Sequence, residues 1–208
     1  MKDLKNILEQ ADISGLENLL KTQPEMANTD IIWGPNGQNH THPLHYLCDC
    51  VFADTIKEDQ AVSLAKVLFQ HGALVDGKVL IKGKDSPLVG ACSLYTDQLA
   101  LLYLSKSPKL DHMGGHLGTC LHWACWTGSS KLVKALLQKN INLEDRGNEF
   151  NKTPLEWAVH ACTNGPEKNL RDQITCIQLL ISAGANTSQV KIDPVKHPGL
   201  AQVFGAQF

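Results

Sequence analysis

The sequence predicts an all-α solenoid of stacked helix-turn-helix units, and three observations predict it. A related hexapeptide occurs four times: His42-Pro43-Leu44-His45-Tyr46-Leu47, Ser86-Pro87-Leu88-Val89-Gly90-Ala91, Thr119-Cys120-Leu121-His122-Trp123-Ala124 and Thr153-Pro154-Leu155-Glu156-Trp157-Ala158. The copies begin 44, 33 and 34 residues apart, and self-similarity at such a period is the mark of a repeat architecture. Beyond Gly128 the pairs Leu132-Val133 and Leu136-Leu137 recur at helical spacing, which makes one apolar face on a second helix. The 208 residues, 43% hydrophobic and 19% charged, are ordinary for a globular chain of one domain or two small ones.

The hexapeptide and its period resemble the T-P-L-H-x-A signature of the ankyrin repeat. On that resemblance four repeats run over about 40–76, 84–110, 117–143 and 151–187. Short β-hairpin-like finger loops are expected between them. Gly72-Ala73 and Gly184-Ala185 match the glycine stop that ends the second helix of a pair. The first and fourth repeats are longer, with insertions expected around 53–60 and 163–172, the latter holding the loop signal Asn164-Gly165-Pro166. Residues 1–39 resemble a degenerate N-terminal capping repeat and linker, with two helices parted near Asp12 and Leu16, Leu19 and Leu20 on one face. Residues 188–208, with Pro194, Pro198 and Gly205 among apolar residues, read as a C-terminal cap. Caps are expected because a solenoid's end repeats otherwise expose an apolar face.

The chain departs from the signature in places. His42 and Ser86 stand for Thr, Cys120 for Pro, and Val89 and Glu156 for His. The family's Thr and His hydrogen-bond the turn into the first helix. Val89 has no group to do so, and that corner of the second repeat is expected to be the loosest.

Numbering from each Thr-equivalent position separates core from surface. Five along lie Leu47, Ala91, Ala124 and Ala158; six along lie Cys48, Cys92, Cys125 and Val159. Both columns are small or apolar and are expected to pack between repeats, which makes the thiols inert core residues. Four along lie Tyr46, Gly90, Trp123 and Trp157; seven along lie Asp49, Ser93, Trp126 and His160. These share another helix face. In ankyrin proteins that face lines the concave groove that holds partners. An idle solvated face would be polar, yet three of the four tryptophans fall there. Either the indoles fill space between first helices, or Tyr46, Trp123, Trp126, Trp157 and His160 form a partner-gripping strip, since Trp and Tyr are enriched at binding hot spots. The second reading is preferred, because Trp123 and Trp126 cannot both turn inward on one short helix. Finger residues Trp33, His116 and Phe150 extend the candidate set, with Asn39, His40, Met113 and Glu149 beside them.

Other chemistries are disfavoured. Nineteen basic against twenty-one acidic residues give a formal charge of −2, with no Lys/Arg stripe to track nucleic acid phosphates. The opening Met1-Lys2-Asp3-Leu4-Lys5-Asn6 carries an acid and no apolar core, so no secretory leader is expected. The apolar run Leu99 to Leu104 is far shorter than the ~20 residues a membrane helix needs. Seven irregularly spaced cysteines suit a reduced, cytoplasmic protein, although ankyrin arrays also occur as effectors delivered into host cells. His40, His42, His45, Cys48 and Cys50, and again His112, His116, Cys120, His122 and Cys125, are rich in metal-ligand types. On the repeat reading they diverge, with Cys48 inside and Cys50 on the groove face, and no paired CxxC occurs. Gly114-Gly115-His116-Leu117-Gly118 lacks the Lys-Ser/Thr of a phosphate loop. The expectation is a monomeric, non-catalytic module that binds a protein, with no metal, cofactor, nucleic acid or membrane. The alternative is a small enzyme or metal-binding protein using the His/Cys-rich first repeat.

Overall fold

Each repeat begins where a proline or cysteine follows a residue able to cap a helix, and the computed structural model shows what the cap starts. It describes residues 3–165 and 171–205, in two compact units, Met1–Lys109 and Leu110–Phe208.

The first unit opens with α1 (Leu4–Glu9) and α2 (Ile13–Thr22). Asp3 accepts from the Asn6 backbone N–H at 2.8 Å and Asp12 from that of Gly15 at 2.9 Å, each satisfying an amide that the first helical turn leaves orphaned. Leu16 and Leu20 of α2 are buried. Strands β1 (Ile31–Trp33) and β2 (Asn39–Thr41) pair antiparallel with Ile31 opposite Thr41 and Trp33 opposite Asn39, making a true two-stranded finger. Its tip, Gly34 to Gly37, carries positive φ at Gly34, Asn36 and Gly37, residue types that adopt that region readily.

Helices α3 (Pro43–Phe52) and α4 (Glu58–Gln70), then α5 (Pro87–Ser93) and α6 (Asp97–Leu104), form the first two helix pairs. Glu58, in the first turn of α4, reaches the next pair and accepts from the backbone N–H groups of Gln98 at 2.7 Å and Leu99 at 3.2 Å. A carboxylate there complements the positive end of α6. Fully buried Tyr103 donates its hydroxyl to the carbonyl of Leu44 at 2.7 Å, tying α6 back to α3. At Ser86 the hydroxyl caps α5 by accepting from the Val89 N–H at 3.3 Å, while the Val89 side chain is buried.

The second unit holds α7 (Cys120–Trp126), α8 (Ser130–Leu137), α9 (Pro154–Asn164), α10 (Gln173–Ser182) and α11 (Pro198–Val203). Its first finger is a tight turn at Gly115–Leu117, closed by Gly114 N–H donating to the Gly118 carbonyl at 3.0 Å. The insertion at 163–172 lengthens α9 to Asn164; residues 166–170 of that segment, including Pro166, lie outside the described residues, as does the end of the C-terminal cap beyond Gly205. Leu200 and Phe204 of the cap are buried.

Both glycine stops are Schellman motifs. Ala73 and Ala185 N–H donate to the carbonyls of Leu68 and Leu180, and Gly72 and Gly184 N–H to those of Phe69 and Ile181, with φ of 83° and 94°. The columns of small residues are interior: Leu47, Ala91, Ala124 and Ala158 are fully buried, as are Cys48 and Cys125, and Cys92 and Val159 nearly so. Burial pushes the Cys48 and Cys125 thiols up, away from the thiolate. Cys50, expected on the groove face, is instead 3% exposed and pushed up by burial to about 12. It sits eight along the repeat, near Tyr46 and Glu9, so the capping repeat covers the face that the repeat numbering left open.

The start of α3 is a buried histidine cap. His42 Nδ1 accepts from the Leu44 N–H at 3.3 Å and Nε2 pairs with Asn28 Oδ1 at 3.1 Å. Asn28 also donates to the Gly72 carbonyl and accepts from the Leu74 N–H, so one asparagine ties the linker to the end of α4. Burial, with smaller repulsion from His45 and Lys78, holds the His42 imidazole down at about 4. Below about pH 6.5 the unfolded chain takes up a proton there that the folded chain refuses, so stability present above pH 6.5 is lost as pH falls towards 4. Urea unfolding at the two pH values is expected to show the parent losing about 3 kcal/mol more than His42→Thr, which keeps a cap without an ionisable ring.

Candidate functional site

In the second unit α7 and α9 pack side by side, with Ala124, Cys125, Ala158 and Val159 buried and the large aromatic side chains gathered on one face. Trp157 of α9 is the hub of that face. Its ring meets Trp123 edge-on at 5.3 Å between centroids, Phe150 at 5.6 Å, Trp126 at 6.4 Å and the buried His122 at 5.1 Å. These are the offset and edge-to-face arrangements that aromatic quadrupoles favour. Trp157 is 5% exposed, so this indole has the filler role. Trp123 and Trp126 are only half-buried, and His160 stacks on Trp126 with 24° between ring planes. Burial thus separates the indoles: Trp157 packs as filler, while Trp123 and Trp126 keep part of their surface open.

Two glycines permit the arrangement. A Cβ on Gly118 would lie 3.0 Å from both Trp123 Nε1 and Trp157 Cη2. At Gly128, with φ 69°, it would meet the Gln173 side chain, whose Nε2 donates to the Trp126 carbonyl at 3.1 Å and holds the end of α7. The Trp123 Nε1–H donates to the Gly115 carbonyl at 3.3 Å, pinning ring to finger. The buried Trp157 Nε1–H has no acceptor among the described residues.

The finger turns are joined to each other. His116 Nδ1 pairs with Glu149 Oε2 at 2.9 Å and the Glu149 N–H donates to the His116 carbonyl at 3.1 Å. Phe150, 55% exposed, rests on His116 at 5.5 Å. Beneath them two polar anchors fix the helix starts. His122 Nδ1 accepts from the Thr119 N–H at 3.2 Å, which leaves Nε2–H to face the carbonyls of Asp145 and Lys152, each at 3.1 Å. Burial lowers the His122 imidazole, so it is neutral near pH 7. Glu156 takes the equivalent place on α9. It accepts from the Thr153 N–H at 3.0 Å, from Lys152 Nζ at 2.9 Å and from Arg146 Nη2 at 2.7 Å. Burial pushes its carboxyl up, but the bonds from Lys152 and Thr153 and the Arg146 charge outweigh that and leave it below the usual carboxylate range.

Above these anchors lies an open cleft of about 720 Å³. His116, Phe150, Trp123, Trp126, Trp157 and His160, six of the eight residues singled out from sequence, are on its wall. Reading the sequence missed Val159, Thr163, Asn164, Gln189, Val190 and Lys191, and it assigned Lys152 and Glu156 no contact role. The segment Gln189 to Lys191 follows the glycine stop and carries no motif, so no local signal pointed to it. The other two residues, Trp33 and Tyr46, belong to the first unit, where their rings meet edge-on at 5.7 Å. Trp33 Nε1–H donates to Thr41 Oγ1 at 2.8 Å, and Tyr46, 4% exposed, donates its hydroxyl to Glu9 Oε1 at 2.7 Å. Burial and the bond to Glu9 push the Tyr46 phenol well above its ordinary range.

Among the described residues no three His, Cys, Asp or Glu side chains gather as a metal shell, and no helix is long and apolar enough to cross a membrane. His45 lies 4.0 Å from Asp49, while Cys48 and Cys50 are buried.

Residues 88–191, half of the chain, match the family described as ankyrin repeats (3 copies). The chain belongs to the ankyrin repeat family. A curated ankyrin relative, an ankyrin repeat and KH domain-containing protein of Caenorhabditis briggsae, is 24% identical over 149 residues, 70% of this chain. The chain spans 5% of that relative's length. The crystal structure of an ankyrin repeat protein, EF0377, superposes with a TM-score of 0.62 at 20% identity, covering 98% of this chain and 96% of that one. The ankyrin fold is thus shared with a solved protein of similar extent.

Burial separates the indoles energetically. Trp157→Ala is expected to destabilise the ankyrin chain by about 3–5 kcal/mol, the range for deleting a buried aromatic, whereas Trp126→Ala removes a half-buried ring and should cost about 1 kcal/mol. Urea denaturation of the two variants beside the parent checks the contrast.

Proposed function

We propose that this chain, like ankyrin repeats generally, is a protein–protein interaction module, a non-catalytic cytoplasmic monomer that grips a protein partner through the aromatic cleft of its second unit and the adjoining finger turns. The observation that carries this reading is the cleft itself. Half-buried Trp123 and Trp126 and exposed Phe150 stand open to solvent around a buried Trp157, on two helices whose starts are anchored by buried polar networks. Aromatic side chains on a rigid support make strong contacts with little loss of freedom on binding. Trp33, half-buried on the first-unit finger, is carried as a secondary contact, whereas Tyr46 beneath it is buried.

The test is capture from an extract of the native cell, with the intact chain and with Trp126→Ala/Phe150→Ala as bait. Proteins retained by the parent and lost by the double variant, whose melting temperature should drop only slightly, are the expected result. Equal retention by both baits removes the cleft from the reading.

A further inference from the structure

The charges around the cleft say what kind of segment fits it. Among the described residues that line it, Glu156 is the only carboxylate, and its side chain is 7% exposed and already spanned by Lys152 and Arg146. Glu149, beside the rim, is held by His116. Against these stand Lys152, whose side chain is 52% exposed, and Lys191, exposed and making no ion pair among the described residues. The lining therefore carries one positive charge more than negative, in a chain whose formal charge is −2. A cation entering the cleft would face two ammonium groups with no unpaired carboxylate among the described lining residues to receive it, although aromatic faces alone would attract one. An anion meets a complementary rim, and an apolar group meets the rings.

We propose that the cleft takes an acidic linear peptide segment, seating one bulky apolar side chain against Trp126, Phe150 and Trp157 while flanking carboxylates lie on Lys152 and Lys191. The division of labour is the usual one at an interface: an aromatic centre supplies most of the affinity and charged groups at the rim supply selection and encounter rate. A volume of about 720 Å³ falls in the range of sites that enclose a ligand group, and it holds the anchor together with the backbone on either side. This inference rests on the cleft being the partner site.

The experiment uses the whole chain and short dye-labelled synthetic peptides of Gly and Ser with a central anchor, read by fluorescence anisotropy. One set carries Leu or Trp between glutamates, a second carries the same anchors between lysines, and a third carries trimethyllysine between glycines. The Glu-flanked peptides are expected to bind at least about tenfold more tightly than the Lys-flanked ones, with the margin shrinking as salt rises from about 0.05 to 0.5 M. Lys191→Glu should erase that margin, and Trp126→Ala should weaken every peptide that binds. Equal or tighter binding of the Lys-flanked or trimethyllysine peptides makes the cleft a cation cage and overturns the proposal. Absence of binding by all sets up to about 1 mM overturns it too. If the native partner is still lost with Trp126→Ala/Phe150→Ala in that case, the interaction reading stands and only the acidic-segment assignment falls.

Discussion

Close approach of α7 and α9 is the constraint from which the site follows. Ala124, Cys125, Ala158 and Val159 are interior, and residues of that size let two helices pack without a bulky wedge. Once those positions are taken by small side chains, the rings three positions apart on each helix, Trp123 and Trp126 on α7 and Trp157 and His160 on α9, are turned out of the seam. Trp157 leaves it least and becomes the packed floor, whereas Trp123 and Trp126 stay half open. Gly118 serves the same end from the finger side, since any Cβ there would press on Trp123 and Trp157 together.

The helix starts show different side chains doing one job. His42, Ser86, Thr119 and Thr153 each stand where a first helix begins. Their partners differ: Asn28 for His42, His122 for Thr119, and Glu156 for Thr153. What is held constant is satisfaction of the orphan amides and of the finger carbonyls, because a buried polar group without a partner is costly. Glu156 illustrates how far the substitution can go. A charged group replaces a neutral imidazole, and of the two cations it recruits, Lys152 and Arg146, the first also lines the cleft. The local repair of a signature position thus shapes the wall of the cleft.

The candidate site divides between rigidity and display. The polar anchors under His122 and Glu156 and the Gln173 bond to the Trp126 carbonyl hold the backbone of both helices, so the rings above them are presented and not merely tethered. The fingers are linked by His116 and Glu149, which keeps Phe150 over the cleft. Such preorganisation lowers the ordering cost of any contact made on these rings.

The repeat register, the interior columns Leu47/Ala91/Ala124/Ala158 and Cys48/Cys92/Cys125/Val159, the capped starts and the glycine stops were all legible in the amino-acid sequence. Each is a local or periodic property that a helix of 3.6 residues per turn imposes on its own neighbours. Which members of the outward columns stay accessible was not legible, because that depends on residues remote in the chain. Tyr46 is covered because Glu9, 37 positions earlier, receives its hydroxyl. Cys50 goes under with it, while Trp126 stays half open, with His160 of the next pair stacked on it. Val190 and Lys191 join the cleft only because the chain returns there after α10. Periodicity sorts the faces of a helix, but the accessibility of a face is decided by what folds against it.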